Sequence, residues 1–284
     1  HNTEVMFIGY LSLWRSDNLK ESNRRDITWR KISGRIGAAN AAFNVVEHSQ
    51  TDSTMLFCSK GVRLFRTNNA LDSTASFVEL TPGTGAFSIA DILTHPRSPD
   101  TVYLVQGTDV YRSADTGSTW VNISGTLPDV MMNTIVFDAT SREGLYLGGD
   151  AGVYFYDDVA QDWVLFFDGL PANVPVRELE IYYGNHSDEH RIRAATYGRG
   201  LWESDLIGSS SITFPPVAAI RSLDVQTIYH EGTEVEFTFF RGVNQVEING
   251  FDVSDVTINN GSLCNLSGGP VVWTADVSAT APGT

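Results

Sequence analysis

Apolar and polar residues alternate along most of the chain in short runs that keep a period of two. "FSIADILTH", "TVYLVQG", "NTIVFDA", "GLYLGG", "VRELEIYY" and "IRAATYG" are examples, rich in Val, Ile, Phe and Tyr and bounded by Gly, Pro, Asn and Asp. Such runs predict half-buried β-strands joined by tight turns. Nowhere is the 3.6-residue period of an amphipathic helix sustained. The pattern predicts an all-β chain.

The strands recur in a repeat. An aromatic residue leading into a short polar segment appears in "LWRSDN", "LFRTNN", "VYRSAD", "VYFYDD" and "LWESDL". These aromatics are Trp14, Phe65, Tyr111, Tyr154 and Trp202, with intervals of 51, 46, 43 and 48 residues. A second aromatic strand follows the first four, carrying Trp29, Phe77, Trp120 and Trp163. Each full unit therefore reads as four short strands. Units that cannot bury both faces alone stack radially as the blades of a β-propeller. About five units are visible over residues 1–207, and these aromatics are expected to pack between blades. The first unit lacks its innermost strand, and the last stops after three. This predicts the C-terminal part of a larger ring, with further blades before His1, because bare strand edges invite unwanted pairing.

The texture changes beyond residue 207. Residues 208–219, "GSSSITFPPVAA", read as a Ser- and Pro-containing linker. From 220 to 284, short strands such as "VEFTFF", "VEINGF", "VTINNG" and "VVWTADVSA" alternate with turn residues, which suits an antiparallel β-sandwich. The chain ends on "APGT", where such a domain still needs a last strand.

Three stretches carry family resemblances. "SADTGSTW", residues 113–120, resembles the Asp-box, or bacterial neuraminidase repeat, Ser-x-Asp-x-Gly-x-Thr-Trp, at every fixed position. The box marks propellers of sialidases, xyloglucanase-type glycoside hydrolases, sortilin-like receptors and photosystem assembly factors. The other copies are degenerate. "VPVRELEIYY" and "IRAATYGRGLWESDL" resemble the closing blade of sortilin-like and xyloglucanase-like propellers. "GFDVSDVTINNGSLCNLSG", residues 250–268, resembles bacterial Ig-like repeats of large surface proteins and adhesins. The resemblance implies that the box is scaffold. Ser113 is the first fixed position of the box, Asp115 accepts bonds from backbone N–H groups of its own turn, Gly117 supplies an unusual backbone conformation, Thr119 favours the strand that follows, and Trp120 plugs the gap between blades. In "TYGRG", Gly198 and Gly200 bend the chain while Arg199 ties down carbonyls.

Composition narrows the partners. Nineteen Lys and Arg oppose 34 Asp and Glu, for a net charge of −15. No basic stripe exists to neutralise phosphates, so nucleic acid is not expected. No apolar run reaches the ~20 residues that span a bilayer. The chain starts at His1 without a basic-then-apolar leader and reads as a segment of a processed or larger polypeptide. Cys58 and Cys264 read as two free buried thiols, an interdomain disulfide being the alternative.

Candidate chemistry is sparse. His186, Asp188, Glu189 and His190 cluster in "NHSDEHR", but between two strands they read as a hairpin tip rather than a metal site. Asp252 and Asp255 read as a solvated turn rather than a calcium loop. Glycoside hydrolysis needs two facing carboxylates; Asp91, Asp150 and Glu178 are candidates, none in a recognisable catalytic motif. Sialidase chemistry needs an arginine cluster, for which only Arg193 and Arg199 suggest themselves. Asn122, Asn185, Asn260 and Asn265 match the glycosylation sequon, a weak signal. No catalytic residue, metal or cofactor is assigned. The expected function is a non-catalytic extracellular or cell-surface module that presents propeller loops to a glycan or protein, with the Ig-like domain as spacer. The alternatives are the C-terminal half of a secreted glycoside hydrolase, and a subunit of a surface filament or layer.

Overall fold

A computed structural model describes residues 4–37, 40–82, 86–139, 144–157, 161–166, 169–171, 173–186 and 189–207, and beyond them the strands 217–222, 233–241, 244–245, 261–268 and 272–279. Among the described residues the backbone is strand and turn, apart from one 3-10 turn at Arg24–Asp26. No helix is long and apolar enough to cross a membrane. The chain divides into two units, His1–Ser210 and Ser211–Thr284.

In the first unit, five antiparallel sheets follow one another in chain order. The first holds β1 (Met6–Gly9), β2 (Leu13–Ser16) and β3 (Arg30–Lys31). The second holds β4 (Val45–His48), β5 (Leu56–Lys60), β6 (Arg63–Thr67) and β7 (Val78–Leu80). The third holds β8 (Ile89–Thr94), β9 (Val102–Gln106), β10 (Asp109–Ser113) and β11 (Val121–Asn122). The fourth holds β12 (Met132–Asp138), β13 (Gly144–Gly149), β14 (Gly152–Asp157) and β15 (Asp162–Phe166). The fifth holds β16 (Val176–Tyr182), β17 (Arg191–Thr196) and β18 (Gly200–Asp205). The leading strands β4, β8, β12 and β16 lie side by side, and β1 abuts β4.

Registers make the repeat explicit. Cys58 pairs with Phe65, Leu104 with Tyr111, Leu147 with Tyr154 and Ala194 with Trp202, and Ile8 stands opposite Trp14 in the same way. Each aromatic points towards the preceding sheet. Phe65 and Phe77 join Leu13 and Ile32 of the first sheet, Tyr111 and Trp120 join Phe57 and Leu64 of the second, and Tyr154 and Trp163 join Tyr103 and Val110 of the third. Sheets covered on both faces need apolar residues at every position rather than at alternate ones. The middle strands β5, β9 and β13 are accordingly buried throughout.

Trp14 and Trp29, read from the sequence as packed between blades, keep 39% and 37% of their surface. They face the direction from which each later sheet is covered by its predecessor, and among the described residues no sheet precedes the first. The innermost strand is absent from the first sheet and the fourth from the fifth, among the described residues.

The second unit contributes one antiparallel sheet in the order β19 (Val217–Ser222), β20 (Thr233–Arg241), β23 (Val272–Ala279), β22 (Gly261–Gly268), with β21 (Asn244–Gln245) also on β20. β19 opens inside the span read as linker. The strands expected over 246–251 and 256–260, together with Asp252, Asp255 and Asn260, lie outside the described residues. Asn265 sits at a bulge in β22 with a φ of 56°, its Nδ2 donating to Asp276 at 2.7 Å.

Candidate functional site

Three places concentrate polar chemistry. The first is the turn between β10 and β11. Ser113 Oγ donates to Asp115 Oδ1 at 2.7 Å and accepts the Gly117 N–H at 2.8 Å. Asp115 then accepts the Thr119 N–H at 2.8 Å and the Thr119 hydroxyl at 2.6 Å. Those bonds, the Thr119 hydroxyl first, pull the Asp115 carboxyl down to about 2. Gly117 has a φ of +85°, and a Cβ there would lie 2.7 Å from Leu80 Cδ1. The Trp120 indole donates to the Gly117 carbonyl at 2.9 Å while packing against the second sheet. The carboxylate is thus occupied by its own turn. Asn122 is also occupied, its amide donating to Asp109 at 3.0 Å and its Oδ1 accepting the Ser124 N–H.

The second place is a row along the leading strands. Glu47, Asp91, Thr134 and Glu178 occupy equivalent positions on β4, β8, β12 and β16, recurring every 43 or 44 residues. A register shift directly precedes Asp91, Thr134 and Glu178, and such bulges re-aim a side chain. Glu47 Oε1 accepts the Thr94 N–H at 3.0 Å and its hydroxyl at 2.7 Å, reaching from the second sheet to the third. Asp91 accepts the Ile135 N–H of the fourth sheet at 2.9 Å and the Ile92 N–H at 2.8 Å. Burial disfavours the charged form, raising Glu47 to about 7 and Asp91 to about 6, with smaller like-charge contributions from Asp91 and Glu178 respectively. Glu178 is raised as well, by burial and then by Glu180. The buried Thr134 hydroxyl makes no hydrogen bond of good geometry, yet lies near enough to Asp91 and Glu178 to offset part of their rise. Burial makes all three carboxyls easier to protonate than exposed ones, and those of Glu47 and Asp91 tie leading strands of adjacent sheets together. The sequence reading singled out Asp91 and Glu178 separately; the even spacing that adds Glu47 was available in the sequence.

The third place is one end of the sheets. The turns joining β5 to β6 and β9 to β10 accept backbone bonds from the start of the next sheet: Ile89 N–H to Gly61 O and Met132 N–H to Gly107 O, both 2.8 Å. At this end Asp150, in the turn after β13, accepts the Asn133 amide at 2.9 Å and faces Arg177 at 3.1 Å. The Arg177 guanidinium lies 5.8 Å from the Tyr197 ring centre, and Tyr197 is 72% exposed. Tyr10 and Phe87 are exposed in turns at the same end.

The remaining candidates disperse. Gly198 and Gly200 take φ of 81° and 78°, and the Arg199 carbonyl accepts the Trp202 indole N–H at 3.0 Å. Arg193 pairs with Glu203 at 2.7 Å. Glu189 accepts the Asn185 N–H at 2.8 Å, His190 packs on Tyr183, and Asp188 lies outside the described residues. Among the described residues no group of three or more His, Cys, Asp or Glu could hold a metal ion. Cys58 is a free, buried thiol.

Residues 213–284 match the family model of a bacterial Ig-like domain. An ancestral GH74 enzyme has a similar structure, with a TM-score of 0.53 and 15% identity over 84% of this chain. YCF48 from Cyanidioschyzon merolae gives a TM-score of 0.50 and 12% identity, covering 97% of this chain and 92% of its own. The repeat region is a β-propeller fold. The propeller is followed in the same chain by a bacterial Ig-like domain. The chain spans 38% of the length of the GH74 enzyme. No curated protein sequence matches.

Proposed function

We propose that this chain is a non-catalytic binding and structural module of an extracellular or cell-surface protein. The propeller presents its turn-bearing end to a glycan or protein, the Ig-like domain acts as spacer, and both belong to a larger parent chain. One observation carries the reading. The carboxylates that look catalytic are already bound within the fold, Asp115 to its own turn and Glu47 and Asp91 to neighbouring strands. Exposed aromatics beside a polar cluster, by contrast, stand at one end. Tyr197, Arg177 and Asp150 combine a flat ring with donors and acceptors, the mixture that sugar rings use for stacking and hydroxyl bonding. The acidic charge and the bacterial Ig-like match support a location outside the cell. On this reading the degenerate Asp-box copies are hairpin staples.

The test is a glycan-array screen of the intact chain, repeated with Tyr197→Ala. The expected result is retention of one glycan class, weakened about tenfold by the substitution, as for an aromatic anchor. Release of reducing sugar from a polysaccharide by the purified chain overturns the reading. That outcome favours the alternative of a glycoside hydrolase part, which the fold shared with a GH74 enzyme supports.

A further inference from the structure

The row along the leading strands is interrupted at one place. Glu47 reaches from the second sheet to Thr94 in the third, and Asp91 from the third sheet to the Ile135 N–H in the fourth. At the equivalent position the fourth sheet carries Thr134 in place of an acid. Its hydroxyl is buried without a hydrogen-bond partner, only 2% of the residue being exposed, and no bond from it crosses to the fifth sheet. Buried hydroxyls are rarely left in that state. The hydroxyl lies beside the carboxyls of both Asp91 and Glu178, which are close enough to repel each other. Neither carboxyl forms an ion pair with a basic side chain among the described residues. Each Asp91 oxygen accepts one backbone N–H, from Ile92 and from Ile135, and so keeps a lone pair to spare.

We infer that Asp91, Thr134 and Glu178 hold a calcium ion that links the third, fourth and fifth sheets. The donors are all oxygen, which suits a hard cation and not a metal that prefers imidazole or thiolate. Two carboxylates balance a divalent charge, and water completes the shell. Three donors brought together from separate sheets suit calcium, which tolerates irregular geometry, better than magnesium, which demands an octahedron. Buried carboxylates are stable as ions when paired with a cation or coordinated to a metal, and the ion gives the Thr134 oxygen the partner it lacks. Between the fourth and fifth sheets it supplies the tie that Glu47 and Asp91 make at their own junctions. Asp91 is half-buried and Glu178 exposed, so an ion has a way in from solvent. With two carboxylates the site is weak, and an affinity of about 10⁻⁴–10⁻³ M is expected. The site is independent of the glycan reading, and Tyr197→Ala should leave it unchanged.

Calcium chloride titrated into the intact, EDTA-treated and desalted chain at neutral pH tests it, followed by calorimetry and by thermal unfolding. The expected result is a binding isotherm and a Tm that climbs with calcium, beyond any effect of sodium chloride at equal ionic strength. Thr134→Val keeps the shape and both carboxylates but loses the hydroxyl, and should weaken calcium about tenfold. A diffuse attraction of calcium to the acidic chain predicts no such change, because that variant has the same net charge. Glu178→Gln alters an exposed side chain and should weaken calcium at least as much, which keeps the test open should Thr134→Val fail to fold. A wild-type Tm that calcium raises no more than sodium chloride does overturns the inference. Calcium binding that is equally strong in wild type and in the folded variants lies elsewhere in the chain, and overturns it too.

Discussion

Glu47 makes stability depend on pH in an unusual direction. Its carboxyl is raised from 4.5 to about 7 because burial disfavours the ion, and only the Thr94 bonds and their geometry work against that rise. A raised acid binds its proton more tightly in the folded state than in the unfolded one. Its contribution is therefore full below the unfolded value and is lost as pH climbs through the folded value. At 1.36 kcal/mol per pKa unit the loss between pH 5 and pH 8 is at most about 3 kcal/mol. Glu47→Gln keeps an oxygen that accepts the Thr94 N–H and hydroxyl but has no proton to lose. Urea denaturation followed by tryptophan fluorescence should show wild type weakening more steeply across that range than the variant, so that the variant is the more stable at pH 8. Asp91, raised to about 6, adds a shallower slope in both proteins. Parallel pH profiles for wild type and variant would refute the assignment of a desolvated carboxyl to this position.

Trp163→Ala removes a side chain that is 4% exposed and fills the space between the third and fourth sheets, so thermal or urea denaturation should show a loss of about 3–5 kcal/mol. Gly117→Ala forces a Cβ into left-handed backbone at the β10–β11 turn, and should cost about 1–2 kcal/mol by the same assay. Burial pushes the Cys58 thiol far above its ordinary value, so iodoacetamide should leave it unmodified in the native protein and label it in denaturant, read by mass spectrometry of the peptide that contains it.

Much of the propeller was legible because its signals are local. Alternation within runs such as "TVYLVQG" and aromatics at a steady interval are properties of neighbouring residues, and each sheet forms from one continuous stretch. The turn of residues 113–120 is local in the same way, since Ser113, Asp115 and Thr119 bond one another. The Glu47–Asp91–Glu178 row was not seen, although its spacing was on view. Its meaning depends on leading strands lying side by side, and on bulges that turn three of its four members, both facts of packing between sheets. The exposure of Trp14 and Trp29 was missed because position in a repeat specifies which way a side chain points and leaves open whether anything stands there.

The side-by-side order of the leading strands also bears on how the chain is made. Within the first unit the second to fifth sheets each touch the one translated just before, so long-range closure is not needed for a newly emerged hairpin to find a template. Assembly can then follow the ribosome like a zip, each arrival settling on a surface already in place.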